Sequence, residues 1–434
     1  MQHAARVEKG KGSFIFANRF KANVSVRKLM RPNPWGSVPL LAAVAGVLLL
    51  SGCDGCGNDD PWTVEPAEVA QEVDIAFVPL HEAVREVPAD TAAAAAWFTG
   101  LAGDFAAEYV EVIVRFGPVG AGSTYTAMRD FAAHPDIAES FRAIDTTSAP
   151  AARAAEPVLR AAFSRFAHHF PKDTLPTVVW MNTGFNVAVY PTATHLGVGL
   201  DWFLGPDHPI VGKLAPEVFP AYQRARMSTD YLVTDALRGW MLVHFAEPWY
   251  NPRTCADEAL YRGKVLFMLH RIHPEASSRL WLNWSEEQWA WAEEHEQQVW
   301  SEFSNAEELL NDRRADYLKW FNEGPFTRAG RVPQESPDAL GSYIAWRAVE
   351  DYMAAHPETT LPALLAPPNP WRHRPAGFRW RADSSRRPEH TFRVGHARGR
   401  RRPTRRPVAS RQADMPRPTA PTSPPGNRCR FRVS

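Results

Sequence analysis

Residues 177–200 read TVVWMNTGFNVAVYPTATHLGVGL. β-Branched and aromatic residues gather there in short runs separated by turn residues, which is how strands present themselves in a sequence. Thr177–Met181 and Val187–Tyr190 flank an Asn182-Thr183-Gly184 turn, and Thr194–Leu200 forms a third β segment. Together they predict a small antiparallel sheet. Outward from it the apolar period changes to that of a helix. Upstream, 91–110 and 152–169 are Ala-rich, with Phe163, Phe166 and Phe170 at helical spacing. Downstream, helices are expected over 230–246, 256–270, 285–300, 304–321 and 337–355, divided by Pro- and Gly-bearing connections. The fold class is therefore mainly α, with a minor β element (α+β), in one multi-helix domain. No repeat or linker divides it.

The chain has 434 residues, 45% apolar and 22% charged, enough for one large domain. Its formal charge of +1 conceals a segregation. Residues 1–52 hold 8 basic and 1 acidic side chains; 367–434 hold 18 Arg, no Lys and 3 acidic; the body, 53–366, holds 23 basic and 44 acidic, a net of −21. A body that acidic repels phosphate backbones, so nucleic acid is excluded as its partner. Four cysteines, Cys53, Cys56, Cys255 and Cys429, are too few for a disulfide framework in a chain of this length.

The first 52 residues form an extension and an export signal. Ser37–Cys53 reads SVPLLAAVAGVLLLSGC, an uncharged run of signal-peptide length that is short for a spanning helix. It ends in Leu50-Ser51-Gly52-Cys53, which resembles the bacterial lipobox, in which the signal is cut before a cysteine acylated on sulfur. Met30-Arg31 lies at the right distance upstream to be the true start. Cys53 is then the lipid-attachment residue, and its acyl chains meet the requirement of two or more anchors for stable membrane attachment. Residues 53–66 are expected to be a flexible tether and 67–366 the globular domain. Residues 367–434, rich in Arg and Pro, cannot bury enough apolar surface to order themselves. They read as a disordered tail, either a polybasic arm or a reading frame translated out of register.

The order and spacing of the body's motifs resemble those of the gliding motility lipoprotein GldB family. The segments that carry the likeness are LGVGLDWFLGPDH, YQRARMSTDYLVTDALRGWM, DEALYRGKVLFMLHRIHPEAS, WSEEQWAWAEEHEQQVWSEF and NEGPFTRAGRVPQESPDALGSYIAWRAVEDYM. It spans roughly 70–366 and is most specific at Gly199–Gly205, Tyr261–Leu269 and Glu323–Tyr352. The resemblance implies a lipoprotein needed for movement over surfaces and for the associated secretion apparatus. It also implies a fold similar to gluzincin-type zinc metallopeptidases that have lost the metal site.

That second implication can be tested on residues. H-E-x-x-H sets two imidazoles one helical turn apart around a zinc ion while the Glu activates its water. The two His-Glu pairs present, His81-Glu82 and His295-Glu296, have Arg85 and Val299 where the second His is required. In helix 230–246, Trp240–His244 retains one donor and no base. Arg262, on the next helix, stands where a ligand Glu is expected, and a guanidinium repels a divalent cation. Trp240, His244 and Arg262 are thus expected to line a vestigial cleft without catalytic residue, cofactor or metal. His168, His169, His270 and His273 read as helix-end residues and Glu293–Glu296 as a solvated acidic face. Trp281, Trp284, Trp289, Trp291 and Trp300 read as core between helices. No G-x-S-x-G, P-loop or G-x-G-x-x-G occurs. The expected function is non-enzymatic: an envelope lipoprotein on the inner or outer membrane, with its domain in the periplasm, held by the bilayer through Cys53 and by other envelope proteins. The two rival readings are a metallopeptidase-like hydrolase and a surface glycan-binding lipoprotein.

Overall fold

The computed structural model describes residues 60–64, 73–246 and 254–365. Cys53, Cys56, Cys429, Met30, the apolar run 37–53 and the tail 367–434 lie outside them.

The chain is mainly helical around a four-stranded sheet. The strands are β1 (Phe77–Val78), β2 (Thr177–Met181), β3 (Val189–Pro191) and β4 (His195–Gly199), in the order β1-β2-β4-β3. The sheet is mixed, which corrects the antiparallel expectation. β2 lies parallel to β4, Thr177 opposite His195 and Met181 opposite Gly199, and β1 is parallel to β2; only β3 and β4 form an antiparallel pair. The Asn182-Thr183-Gly184 segment is not a hairpin turn, because the buried Asp201 carboxylate beyond β4 accepts hydrogen bonds from Thr183 N, Thr183 Oγ1 and Phe185 N. Gly184 and Phe185 both take positive φ to meet it. The chain is thereby pulled past the end of β4 before it can return along β2.

Both faces of the sheet are covered, and its central strands are accordingly apolar throughout. Val178 and Trp180 face the larger core, while Val179 and Met181 face a second cluster. That second cluster is built from α1 (Thr91–Ala102), Phe105–Ile113, α2 (Gly122–Ala133) and α3 (Pro135–Ala143). The expected helix 91–110 breaks at Gly103, which ends α1 at φ 51°.

The larger core is formed by α4 (Ala149–His169), α5 (Leu232–His244), α6 (Cys255–Ile272), α7 (Glu286–Glu294), α8 (Glu296–Phe303) and α9 (Leu340–Ala355). α6 starts on a capping box between Thr254 and Asp257, and α7 on one between Ser285 and Gln288, each satisfying orphan N–H groups of its first turn. The helix expected over 285–300 is divided at His295, and that over 304–321 becomes short turns at Ala306–Leu309, Arg314–Tyr317 and Leu318–Trp320. α6 and α9 cross at Gly263, where a Cβ would stand 2.5 Å from the Ala345 carbonyl oxygen. The two backbones meet with no side chain between them. Part of the expected tether is also built in: Trp62 and Val64 are buried, and Trp62 Nε1 donates to the Thr359 carbonyl at 2.7 Å.

Candidate functional site

α5 presents two faces, and they do different things. Trp240 and His244, one turn apart, point into the α4 side. Trp240 packs edge-on against Phe163 and Phe166 with ring centroids 4.9 Å apart, and His244 stacks on Trp240 at 4.5 Å. His244 Nε2 lies 2.9 Å from Asp173 Oδ2. The other face carries Asp235, Arg238, Gly239 and Leu242 at positions i, i+3, i+4 and i+7, and these line a cavity of about 310 Å³. Arg262 of α6 lines the same cavity; Trp240 and His244 do not. Of the three side chains expected to share a cleft, the fold separates two from the third. The register of α5 was the missing information: Gly239 seats the helix against the sheet, since a Cβ there would come within 2.7 Å of Val189 Cγ1.

The remaining walls come from distant parts of the chain. Val265 and Leu266 of α6, Trp281 and Phe321 supply apolar surface, while Arg226, Glu323 and Asp338 bring charge. Most of that charge is paired. Arg226 holds Asp338 with two hydrogen bonds, 2.9 and 2.7 Å, in a pair whose side chains are 11% and 1% exposed. Burial opposes the Arg226 charge, but the Asp338 bond overrides it and raises the guanidinium pKa. Asp338 also accepts from Trp284 Nε1 at 3.2 Å and from Gly324 N at 2.7 Å, so its carboxylate gathers three elements around one point. Arg238 donates to Asp235 at 2.7 Å and to the Trp281 carbonyl at 2.9 Å. Burial raises the pKa of Asp235, with Arg238 pulling the other way. Arg262 donates to Glu258 at 2.7 Å, one turn back on α6, and its guanidinium lies over the Phe321 ring at 5.3 Å.

The other sequence candidates are placed apart from the cavity. His81 is buried and donates to the Trp180 carbonyl at 3.3 Å, and burial lowers its pKa. His295 stacks on Trp291 at 4.2 Å, while the neighbouring Glu296 accepts from Tyr343 at 2.7 Å. Glu296 therefore joins the α8–α9 contact instead of an open acidic face. His270 Nε2 is bonded to Ser278 Oγ at 2.8 Å, and burial lowers its pKa to about 4; His273 pairs with Glu275. His169, in the last turn of α4, donates to the Trp62 carbonyl at 3.1 Å. Among the described residues, no three His, Cys, Asp or Glu side chains converge as a metal-binding group. Trp281 and Trp284 are buried in the core, and Trp289, Trp291 and Trp300 pack against it. Cys255 is buried at the start of α6, and burial pushes its thiol up to about 12. Among the described residues no helix is long and apolar enough to cross a membrane.

Sequence reasoning missed the Arg226–Asp338 pair, whose members stand 112 positions apart with no local pattern to join them. The Asp235-x-x-Arg238 spacing on α5 did carry a signal, one turn of like-facing opposite charges before the glycine.

Compared with known proteins, residues 62–371 match the model of the family described as gliding motility protein GldB. No curated protein and no solved structure matches the chain.

Proposed function

The chain belongs to the family of gliding motility protein GldB, and from that premise we propose that it is a lipid-anchored, non-enzymatic component of the cell envelope. In this reading Cys53 is acylated, the folded domain faces the periplasm, and it stabilises other proteins of the gliding and associated secretion machinery. One observation carries the proposal: a family match covering 62–371 follows directly on a lipobox ending at Cys53. Two acyl chains and an acylated amine make attachment stable where one chain alone would be reversible. The chemistry of the cavity agrees with holding rather than turnover. Its guanidiniums are each engaged by a carboxylate of the same fold, Arg226 by Asp338, Arg238 by Asp235 and Arg262 by Glu258, which supports a structural use of these charges. The net −21 of residues 53–366 favours partners with a basic face.

The test is complementation of a gliding strain that lacks its own copy, with wild-type chain and Cys53→Ala, alongside detergent partitioning and intact-mass analysis. The wild-type chain is expected to partition into detergent with lipid mass and to restore spreading; the variant is expected to do neither. Undiminished lipid mass in the variant overturns the anchor, and chelator-sensitive peptide hydrolysis by the wild-type chain overturns the non-enzymatic assignment.

A further inference from the structure

The two ends of the described body are tied together. Trp62 Nε1 donates to the Thr359 carbonyl at 2.7 Å, across 297 positions, and the Trp62 ring packs edge-on against Phe267 of α6 with centroids 5.5 Å apart. Its neighbours are held as well: Asp60 pairs with Arg271 at 2.9 Å, and Val64 O accepts from the buried Arg165 at 3.2 Å. At the other end Leu361, Leu364 and Leu365 are buried in the larger core. Residues 60–64 and 359–365 therefore make one fixed patch, from which the chain departs in both directions.

Cys53 stands seven positions before Asp60, a reach of at most about 25 Å. Acylated, as proposed above, it confines the patch to the neighbourhood of the bilayer. Arg372 stands seven positions beyond Leu365, within the same reach. It belongs to the run Trp371–Arg381, WRHRPAGFRWR, which carries four Arg, two Trp, one Phe and no acidic residue. Arg is drawn to anionic headgroups and the amphipathic Trp ring settles at their level, so the run has the composition of an interfacial anchor.

We propose that the Trp62–Thr359 patch is the membrane-facing surface of the domain, and that Trp371–Arg381 binds anionic phospholipid headgroups of the bilayer that holds Cys53. The placement rests on the acylation of Cys53; the lipid chemistry of the run does not. Two carboxylates at the patch, Asp60 and Glu275, are already engaged by Arg271 and Arg165. A solvated carboxylate surface gives the two Trp nothing to enter, whereas a headgroup layer does. The anchor also keeps headgroups within reach at high effective concentration, which favours them over a diffusing polyanion such as nucleic acid. The body, at −21, is repelled by the same headgroups, so a cationic run beside the anchor fixes which side of the domain approaches them.

The experiment is flotation of the full chain carrying Cys53→Ala with vesicles of phosphatidylcholine alone, and of phosphatidylcholine with about one third phosphatidylglycerol, at low and high salt. The variant removes the acyl anchor, and the neutral vesicles account for the apolar run 37–52. Partition into anionic vesicles is expected to exceed that into neutral ones by about tenfold or more at low salt, with the excess lost at high salt. Each Arg near such a surface is worth about fivefold, so replacing Arg372, Arg374, Arg379 and Arg381 together by Gln should cut the excess by about tenfold or more. An unchanged melting temperature shows that this variant is folded. For the face, the acylated chain with Cys56→Ser and Cys429→Ser is labelled at Ala363→Cys or Ala96→Cys, both exposed, the second on the other side of the sheet. Headgroup-labelled quencher lipid is expected to act more strongly at 363. An excess indifferent to salt, lipid charge or the Arg replacements, equal quenching at the two positions, or preference for a single-stranded oligonucleotide over anionic vesicles at equal phosphate overturns the proposal. Absence of acyl mass on the wild-type chain would overturn the anchor without touching the flotation result, so the two readings fail separately.

Discussion

Arg226 and Asp338 meet through two parallel hydrogen bonds, 2.7 and 2.9 Å, although 112 positions separate them. Asp338 has the Trp284 indole and the Gly324 amide as further donors. The turn before α5, the turn before α7 and the approach to α9 thus share one carboxylate.

Asp338→Asn removes the negative charge, leaving the guanidinium of Arg226 desolvated. Breaking one side of a buried pair costs about 3–5 kcal/mol. The melting temperature is expected to fall by about 5–10 °C. Differential scanning calorimetry checks it, and a fall below about 2 °C would show the pair to be dispensable.

Gly263→Ala is expected to destabilise by about 1–3 kcal/mol, the usual range for overpacking. The added methyl would face the backbone of Ala345 and Trp346, which cannot rotate away. Gly212→Ala is the matched control, since a methyl there would meet nothing within 4 Å and φ is ordinary. There the expected change is a gain of about 0.4–1 kcal/mol from a less flexible unfolded chain. Urea midpoints of the two variants should therefore move in opposite directions.

His270 gives the fold a pH dependence with a definite sign. Burial, aided by Arg271, holds its folded pKa at about 4 against an ordinary 6.5, so the unfolded chain binds a proton there that the folded chain refuses. Its contribution is present above pH 6.5 and is lost as pH falls toward 4. Asp201 acts oppositely. Burial raises its pKa from 3.8 to about 6, so the stability it confers declines as pH rises between those values. His270→Gln keeps a partner for Ser278 while deleting the proton. Its stability should be less sensitive to acid between pH 6.5 and 4, by up to about 1.4 kcal/mol per pH unit. Denaturation at a series of pH values measures the difference, and parallel profiles for the two proteins would refute the assignment.

A chain ending at residue 366 is expected to melt within about 10 °C of the full-length protein. The last described segment, Leu361–Leu365, buries Leu361, Leu364 and Leu365 in the larger core and so closes it. A larger drop would make 367–434 structural.

The helices were legible because each carries an apolar stripe at its own period, and Tyr343, Ile344, Trp346 and Val349 of α9 are buried as that stripe requires. Local reading of 177–200 identified strand residues but not their partners. A two-residue strand at Phe77–Val78 leaves no pattern, and whether β2 turns back on β3 or passes to β4 depends on Asp201, a residue outside all three runs. The site failed in the same way. Arg262 could be named from its neighbours, whereas Asp338 and Glu323 join it only through the fold. The turn of α5 toward the cavity was decided by a glycine pressed against Val189, a contact between residues 50 positions apart.

Cys255 sits in the first turn of α6, where a thiol would ordinarily be acidified by the N–H groups around it, yet burial holds this one up near 12 and keeps it protonated. Sulfur in that condition neither attacks nor is attacked while α6 is docked. The thiol works as a gauge sealed inside the protein: where α6 recloses faster than a reagent reacts, the rate of alkylation at Cys255 is that of an exposed thiol scaled by the open population, and so reads the free energy of that opening.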